Sequence, residues 1–152
     1  MQEERTLILI KPDAVQRAII GKIIERFEQK GLRIVGLKML TIDDTLVEEH
    51  YYHHKDKPFF NDLKKFMQSS PVVALVLEGV ECIGAVRLIT GITKSSEADA
   101  GTIRGDFAMS MASNIIHASD SKETAEKEIR RFFKSEELFN YGRCDYQVVY
   151  SR

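Results

Sequence analysis

One histidine in the chain stands where a predicted strand gives way to a predicted helix. His117 closes the apolar segment Asn114-Ile-Ile-His117 and is followed by Ala118 and Ser119, directly before a helix start. Backbone N–H groups and the helix dipole converge at such a junction and favour anions. A neutral imidazole is also a good nucleophile near pH 7, because its unperturbed pKa is about 6.5. Taken alone, a histidine beside an apolar strand is more often a hydrogen-bonded structural residue.

Two charged residues could serve this histidine if the fold brings them close. Arg104 stands between Gly101 and Gly105 in a polar loop, where glycines let the backbone bend towards a ligand and a guanidinium suits forked binding of phosphate. Glu128 lies at the edge of the apolar stripe of its helix, about 60° from Ala125. By themselves, these patterns are more typical of an ordinary loop arginine and of a surface ion pair.

A second group of histidines lies on a predicted polar helix. His50 and His54 are spaced i, i+4, which could present two nitrogens to zinc, and His53 lies between them. No third ligand accompanies them in the sequence. The spacing therefore favours a solvated histidine-rich face over a metal site.

Hydrophobic periodicity predicts the elements that must position these side chains. Short apolar runs rich in β-branched residues indicate strands at 6–10, 32–40, 72–77 and 114–117. Helical spacing indicates helices from Ala14 to a stop at Gly31, at 43–54, at 59–68 and from Gly79 to about Gly91. A last helix begins at Asp120, which can form a capping box with Glu123. The tail from Leu138 is predicted to be irregular.

The order of these elements predicts an α+β fold. A β-α-β unit, a helical hairpin insert and a β-α-β-α unit match the ferredoxin-like βαββαβ plan, a four-stranded antiparallel sheet with helices packed on one face. Residues 92–106 lack an apolar period, which indicates a long loop of the kind that often carries function. The sequence shows no linker, so residues 1–152 are expected to form a single domain.

Composition narrows the classes of protein that fit. The chain has 152 residues, 43% of them hydrophobic and 30% charged, which excludes disorder and low-complexity sequence. Its net charge of −1 argues against a dedicated nucleic-acid-coating protein. No apolar run reaches the ~18 residues of a membrane span, and Cys82 and Cys144 form no motif. A cytoplasmic protein without a membrane partner is therefore expected.

Several uncommon segments, in order and at matching spacing, resemble the nucleoside diphosphate kinase family. The most specific is residues 114–121, Asn-Ile-Ile-His-Ala-Ser-Asp-Ser, which is similar to the family's signature around its phosphorylated histidine. The supporting segments are residues 10–13 (Ile-Lys-Pro-Asp), 57–60 (Lys-Pro-Phe-Phe) and 101–107 (Gly-Thr-Ile-Arg-Gly-Asp-Phe). The resemblance extends from Glu4 to about Tyr141.

The resemblance implies a magnesium-dependent phosphotransferase. Such an enzyme moves the γ-phosphoryl group of a nucleoside triphosphate, typically ATP, to a nucleoside diphosphate. Its substrates would be ATP, ADP, GTP, GDP and their deoxy forms, and its activity would maintain the pools of nucleoside and deoxynucleoside triphosphates. His117 would carry the group as phosphohistidine in a ping-pong mechanism. Glu128 would orient the imidazole with support from Ser119, and Lys11 would complete the catalytic set.

The same resemblance implies a nucleotide site. Lys11 and Asn114 would contact the ribose hydroxyls. The phosphates would be lined by Tyr51, Arg87, Thr93 and Arg104. The base would stack on Phe59, with Leu63 and Met111 beside it. Mg²⁺ would be held mainly by phosphates and water without a direct protein ligand, with Asp120 contributing through water.

The sequence departs from the family pattern at positions that spare the catalytic groups. Ala118 follows the histidine where glycine is frequent, and Met111 replaces a smaller branched residue. Ser95 and Ala100 replace prolines that stiffen a loop between subunits. The aromatic tail at 140–152 resembles that of hexameric members, so a homohexamer is expected, with a homotetramer as the alternative.

Two other hypotheses fit the same fold. A ferredoxin-like sheet can bind RNA through exposed aromatic residues, but the runs at 6–10 and 72–77 contain none. The other hypothesis is an inactive relative that is kept for interaction with partners. The intact set of Lys11, Arg104, His117 and Glu128 argues against it.

Overall fold

The computed structural model describes residues 2–151. Within this range the strands are β1 (Glu3–Ile10), β2 (Arg33–Leu40), β3 (Val72–Val80) and β4 (Ile116–Ala118). The helices are α1 (Pro12–Gln16), α2 (Ile20–Lys30), α3 (Asp44–His50), α4 (Phe60–Gln68), α5 (Cys82–Thr90), α6 (Ile103–Phe107), α7 (Lys122–Phe132) and α8 (Tyr146–Val149). Short 3₁₀ turns lie at Tyr52–His54, Ser95–Glu97 and Ser135–Glu137.

The strands form an antiparallel sheet in the order β2-β3-β1-β4. β1 and β3 pair along nearly their whole length, from Glu3 opposite Val80 to Ile10 opposite Val73. The short strand β4 pairs with the end of β1. The order and directions of the strands are those of the ferredoxin-like plan, and the predicted α+β fold class is confirmed.

Helices cover both faces of this sheet, and the prediction that they pack on one face was wrong. One core cluster contains Ile8 and Ile10 of β1 together with residues of α2 and α5. The other contains Leu7 and Leu9 of β1 together with residues of α3, α4 and α7. The helical hairpin insert and the last long helix therefore cover the second face. A strand segment that is buried on both faces has no polar side, which is why residues 7–10 of β1 form a continuous apolar run.

The helix predicted from Ala14 to Gly31 is interrupted in the structure. α1 ends at Gln16, Ala18 adopts a φ of 56°, and α2 begins at Ile20. A left-handed residue cannot continue a right-handed helix, so the chain turns at this point. α2 ends at the predicted place, because Gly31, with a φ of 97°, supplies the left-handed residue that closes it.

Two predicted helix starts were wrong. Gly79 belongs to β3, and α5 begins only after Glu81, whose φ is 53°. α7 is capped by Ser121, whose hydroxyl accepts a hydrogen bond from the N–H of Thr124, so Asp120 has no capping role. These shifts place Asp120 on the short connection between β4 and α7.

The remaining differences are local. The helix predicted at 43–54 ends at His50 and continues as a 3₁₀ turn. The loop at 92–106 contains a 3₁₀ turn and the start of α6, and the tail contains the short helix α8. Among residues 2–151, no helix combines the length and the apolar character that crossing a membrane requires.

Candidate active site

His117 is the middle residue of β4, at the edge of the sheet. It lies opposite Leu9 of β1, and its side chain is 25% exposed. The strand ends at Ala118, and α7 begins at Lys122. The predicted strand-to-helix junction therefore exists, with the imidazole at its start.

One carboxylate holds one nitrogen of this imidazole. Nε2 of His117 lies 2.7 Å from Oε2 and 3.0 Å from Oε1 of Glu128. A carboxylate accepts hydrogen bonds and does not donate them, so Nε2 carries the proton of the neutral ring. Nδ1 keeps its lone pair, as a nucleophile requires.

Glu128 is buried, although its helix position suggested a boundary residue. Only 4% of its surface is exposed. The hydroxyl of Ser119 donates to Oε1 at 2.7 Å and accepts from the N–H of Leu7 at 3.3 Å. A buried carboxylate is tolerated where its hydrogen-bond partners are in place. Ser119 and His117 supply these partners and tie the carboxylate to the sheet.

Lys11 lies between β1 and α1, where Pro12 keeps it extended with a ψ of 166°. Its Nζ donates to Oδ1 of Asn114 at 2.7 Å. Burial and then the charge of Arg104 lower the pKa of Lys11 to about 8, against a smaller opposing effect of Asp13. The ammonium is still mostly charged at neutral pH, but burial has removed much of its hydration. An anion that approaches it therefore displaces little water.

Ile115 adopts a left-handed conformation that is unusual for a β-branched residue, with a φ of 61°. Its N–H donates to Oδ2 of Asp13 at 3.0 Å, and its carbonyl accepts from the N–H of Lys11 at 2.9 Å. Such a conformation persists only where the surroundings fix it. These two bonds join the turn at Lys11 to the strand that carries His117.

Arg104 binds three backbone carbonyl groups. Nη1 donates to Gly91 at 2.6 Å and Nη2 to Ile116 at 2.7 Å, while Nε lies 3.4 Å from the oxygen of Asn114. These contacts use three of the N–H groups of the guanidinium and leave the others for a ligand. Burial and then the charge of Arg87 lower the pKa of Arg104 to about 10, so the group stays charged at neutral pH.

The loop around Arg104 is closely packed on itself. A Cβ atom at Gly105 would lie 1.9 Å from the carbonyl oxygen of Asp99, so only glycine fits there. Thr102 caps α6 by accepting from the N–H of Gly105 at 3.0 Å. Asp106 accepts from the N–H of Gly101 at 2.8 Å. These contacts fix the backbone from which the side chain of Arg104 extends.

A cleft of about 300 Å³ collects most of the predicted site residues. Those that line it are Lys11, Tyr51, Arg87, Thr93, Arg104, Asn114, His117, Asp120 and Glu128. Ser119 is fully buried beneath them. Phe59, Leu63 and Met111 are not part of this lining, and Phe59 and Met111 are 48% and 65% exposed. The structure therefore separates the deep polar part of the site from its predicted base-binding residues.

His50 also belongs to the site, and the prediction of a solvated histidine-rich face was wrong for it. It is 6% exposed, its Nδ1 lies 3.4 Å from Oε2 of Glu128, and its ring packs edge to face on that of His117. The sequence did contain a signal. His50 follows Val47 by three residues and therefore shares the buried face of α3.

His53 and His54 line the outer part of the cleft. The ring centroid of His54 lies 6.4 Å from that of Tyr51 and 5.2 Å from that of Phe59. Burial and then the charges of His53 and Lys57 lower the pKa of His54, which favours the neutral form of its ring. His54 thus connects the deep part of the cleft to the exposed ring of Phe59.

The carboxylate of the cleft that best suits a hydrated divalent cation is exposed, whereas the deeper cluster of possible ligands is less suitable. His50, His117 and Glu128 place three possible ligand atoms within 4.8 Å of one another. Mg²⁺ prefers oxygen, and this set offers one carboxylate beside two imidazoles. The guanidinium of Arg131, 3.0 Å from Nδ1 of His50, also opposes a cation there. Asp120 is an exposed carboxylate that lines the same cleft and suits a hydrated Mg²⁺.

Comparison with known proteins identifies the family of this chain. A family model described as Nucleoside diphosphate kinase matches residues 4–138. The chain belongs to the nucleoside diphosphate kinase family. The matched range extends from β1 through α7 and includes every residue of the cleft described above.

Individual nucleoside diphosphate kinases are similar over nearly the whole chain. That of Methanothermobacter thermautotrophicus is 50% identical over 147 residues, which cover 97% of this chain and 98% of that protein. That of Pyrococcus horikoshii is 54% identical over 146 residues, which cover 94% and 93%. The structure of a halophilic nucleoside diphosphate kinase from Halobacterium salinarum in complex with CDP is similar with a TM-score of 0.95 and 44% identity, and covers 98% of this chain and 99% of that one.

Membership of the nucleoside diphosphate kinase family gives the activity. The function is transfer of the γ-phosphoryl group of a nucleoside triphosphate to a nucleoside diphosphate, by the ping-pong mechanism through phosphohistidine that is general to the family. The predicted family, fold class and enzyme class are confirmed.

Proposed function

We propose that Nδ1 of His117 is the atom that carries the phosphoryl group. It attacks the γ-phosphorus of the donor, the N–P bond forms, and the bond from phosphorus to the β-phosphate oxygen breaks, so that the diphosphate leaves with that electron pair. In the second half, a terminal oxygen of the acceptor diphosphate attacks the same phosphorus and the N–P bond breaks. The observation that carries the proposal is the 2.7 Å contact between Nε2 and Glu128, which occupies the other nitrogen.

Glu128 and Ser119 act as orienting groups in this proposal. The ring of His117 gains positive charge as Nδ1 bonds to phosphorus, and a buried carboxylate at Nε2 stabilises that charge where water cannot screen it. The bond from Ser119 to Oε1 keeps the carboxylate from rotating away. Both groups act through the imidazole and do not touch the phosphate.

Three cations of the cleft, Lys11, Arg87 and Arg104, supply the charge that a triphosphate needs. Phosphoryl transfer depends on positioning and charge stabilisation more than on covalent help. Tyr51 and Thr93 complete the phosphate lining. Burial and then the charge of Glu128 raise the pKa of Tyr51, and its buried hydroxyl has no hydrogen-bond partner among residues 2–151. That hydroxyl can therefore donate to a phosphate oxygen.

The base lies against the exposed ring of Phe59, with Leu63 and Met111 beside it. Stacking on an aromatic ring suits every base, so the proposed substrates include ATP, ADP, GTP, GDP and the deoxy forms. The ribose hydroxyls meet Lys11 and Asn114, whose side chains already bond to each other at 2.7 Å. This arrangement places the ribose between the base ring and the cations.

Mg²⁺ is proposed to arrive with the nucleotide. The residues present fit this role, because Mg²⁺ keeps several waters and commonly uses a single carboxylate with substrate phosphates. Asp120 is placed to reach it through water from the rim of the cleft. When bound, the ion would neutralise charge on the β- and γ-phosphates.

The proposed assembly is a homohexamer, with a homotetramer as the alternative. β2 lies at an edge of the sheet and exposes Leu37 and Met39 by 54% and 57%, and α5 exposes Leu88 by 79%. Apolar side chains on an unpaired edge favour coverage by another chain. A cytoplasmic location, a single domain over residues 1–152 and the lack of dedicated nucleic-acid binding stay predictions.

Labelling tests the central step. Wild-type protein incubated with γ-labelled ATP and Mg²⁺ should take up acid-labile, base-stable label, and mass spectrometry of its peptides should place that label on His117. Addition of GDP should remove the label and form labelled GTP. The variant His117→Ala should take up none, and label on that variant would contradict the assignment.

A further inference from the structure

The guanidinium of Arg131 reaches from α7 to α3. Its Nη1 lies 3.0 Å from Nδ1 of His50, and the same Nδ1 lies 3.4 Å from Oε2 of Glu128. The ring of His50 is buried and packs edge to face on that of His117, with centroids 4.7 Å apart. One imidazole thus stands between a cation and the carboxylate that holds the nucleophile.

The contact with Arg131 decides which nitrogen of His50 carries the proton. A guanidinium donates hydrogen bonds, cannot accept them and stays charged. Nδ1 of His50 must therefore accept, and Nε2 must carry the single proton of the neutral ring. Nε2 is buried and has no hydrogen-bond partner among residues 2–151. No hydrogen bond at Nε2 therefore contributes to the choice of tautomer, which depends on the contact between Nδ1 and Arg131.

The surroundings of His50 keep its ring neutral. The titratable and charged groups that face it are Arg131 and Glu128 from α7, His117 from β4, Lys11 from the turn after β1, and Tyr51 and His53 next to it. Burial, followed by the charges of His117 and Arg131, lowers the pKa of His50 to about 2. A neutral ring that carries no proton on Nδ1 cannot donate a hydrogen bond to Glu128.

The other tautomer would compete with the nucleophile for the same oxygen. A proton on Nδ1 of His50 would face Oε2 of Glu128, the atom that holds Nε2 of His117 at 2.7 Å. The carboxylate would then divide its charge between two donors. Its hold on the ring of His117, and its stabilisation of charge there, would weaken.

We propose that Arg131 is a positioning residue that acts through His50, because it fixes the tautomer of His50 with hydrogen on Nε2 and so reserves Glu128 for His117. The inference rests on the proposed role of His117 as the phosphoryl carrier. Arg131 is not part of the lining of the cleft. Its effect on catalysis is therefore indirect and must disappear when His50 is removed.

Histidine ¹⁵N NMR of the full chain measures this tautomer without catalysis. Wild-type His50 should show hydrogen on Nε2. Arg131→Met keeps the apolar stem but removes the donor, and should shift His50 towards the form with hydrogen on Nδ1. Arg131→Lys, which can still only donate, should keep the wild-type tautomer. Arg130→Met removes an exposed arginine from the same helix and is the matched control.

Rapid-quench labelling with γ-labelled ATP measures the consequence. The rate of phosphorylation of His117 should fall roughly tenfold in Arg131→Met, the scale on which lost orienting contacts act. Arg131→Lys and Arg130→Met should stay near the wild-type rate. In a His50→Phe background, Arg131→Met should cause no further loss, because the residue through which it acts is gone.

Two results would overturn the inference. One is a wild-type His50 with its proton on Nδ1, a measurement that needs no variant and does not depend on the folding of Arg131→Met. The other is an equal loss of rate in both backgrounds, which would show that Arg131 acts without His50. A wild type that takes up no label would overturn the proposed function, whereas the tautomer and the double-variant comparison decide the role of Arg131.

Discussion

Glu128 holds His117 through both of its carboxylate oxygens, at 2.7 and 3.0 Å from Nε2. The two residues lie on different elements, one in the edge strand β4 and the other in the helix that follows it. The contact leaves a single ring nitrogen for chemistry and places a buried negative charge behind it. We therefore expect the rate at which His117 is phosphorylated to depend on this carboxylate.

Glu128→Gln should slow phosphorylation of His117 roughly 10²-fold. An amide keeps the size of the side chain but has no charge with which to stabilise the developing imidazolium. Rapid-quench labelling with γ-labelled ATP measures this step. Glu126→Gln changes an exposed residue of the same helix and should leave the rate unchanged. Equal rates for Glu128→Gln and wild type would contradict the orienting role of the carboxylate.

Ser119→Ala should lower the free energy of unfolding by about 1–3 kcal/mol. The change leaves an oxygen of the buried Glu128 carboxylate and the N–H of Leu7 without their hydroxyl partner. Urea unfolding at a fixed protein concentration measures the loss. Ser135→Ala, at an exposed position, should stay within about 0.5 kcal/mol of wild type. If both variants unfold together, the hydroxyl of Ser119 has no such role.

Nucleotide affinity should fall as pH rises through about 8, where the lowered pKa of Lys11 lies. Below that pH the ammonium is charged and attracts the nucleotide, and above it the neutral amine does not. Calorimetric titration with ADP from neutral to alkaline pH measures the change. Lys11→Gln should bind weakly throughout and lack this transition, whereas Lys22→Gln, an exposed control on α2, should keep it. A transition that persists in Lys11→Gln would assign it to another group.

Met39→Glu should reduce the size of the assembly. Met39 is exposed on the edge strand β2, and a charge there would meet the same charge on a second copy or lose its hydration in the interface. Sedimentation velocity at matched concentration measures the change. Thr45→Glu, exposed on α3, should sediment as wild type does. An unchanged sedimentation coefficient for Met39→Glu would remove this edge from the proposed interface.

The sequence was sufficient where local pattern determines structure. β1 and β3 contain continuous apolar runs, at residues 7–10 and 72–77. Gly31 marks the end of α2 because its position needs a left-handed residue. The position of His117 at a strand-to-helix junction was predictable from its own segment, whereas its proposed role came from the family resemblance. Helix starts were less predictable, since Ala18 and Glu81 adopt positive φ values without the glycine that normally signals them.

The rest of the site depends on contacts between distant parts of the chain. The left-handed conformation of Ile115 is fixed by Asp13, which lies 102 positions earlier. The burial of His50 requires that α3 and α7 cover the second face of the sheet, which the strand pattern could not reveal. His50 was therefore predicted to be exposed, although its position in α3, three residues after Val47, places it on the buried face of that helix.

Arg104 joins three separate pieces of the chain through one planar group, the end of α5 at Gly91, the turn at Asn114 and the strand at Ile116. Moving these three pieces apart would require a side chain that is only 7% exposed to release all of them at once. The wall of the cleft that they form is therefore expected to keep its shape when a ligand enters or leaves.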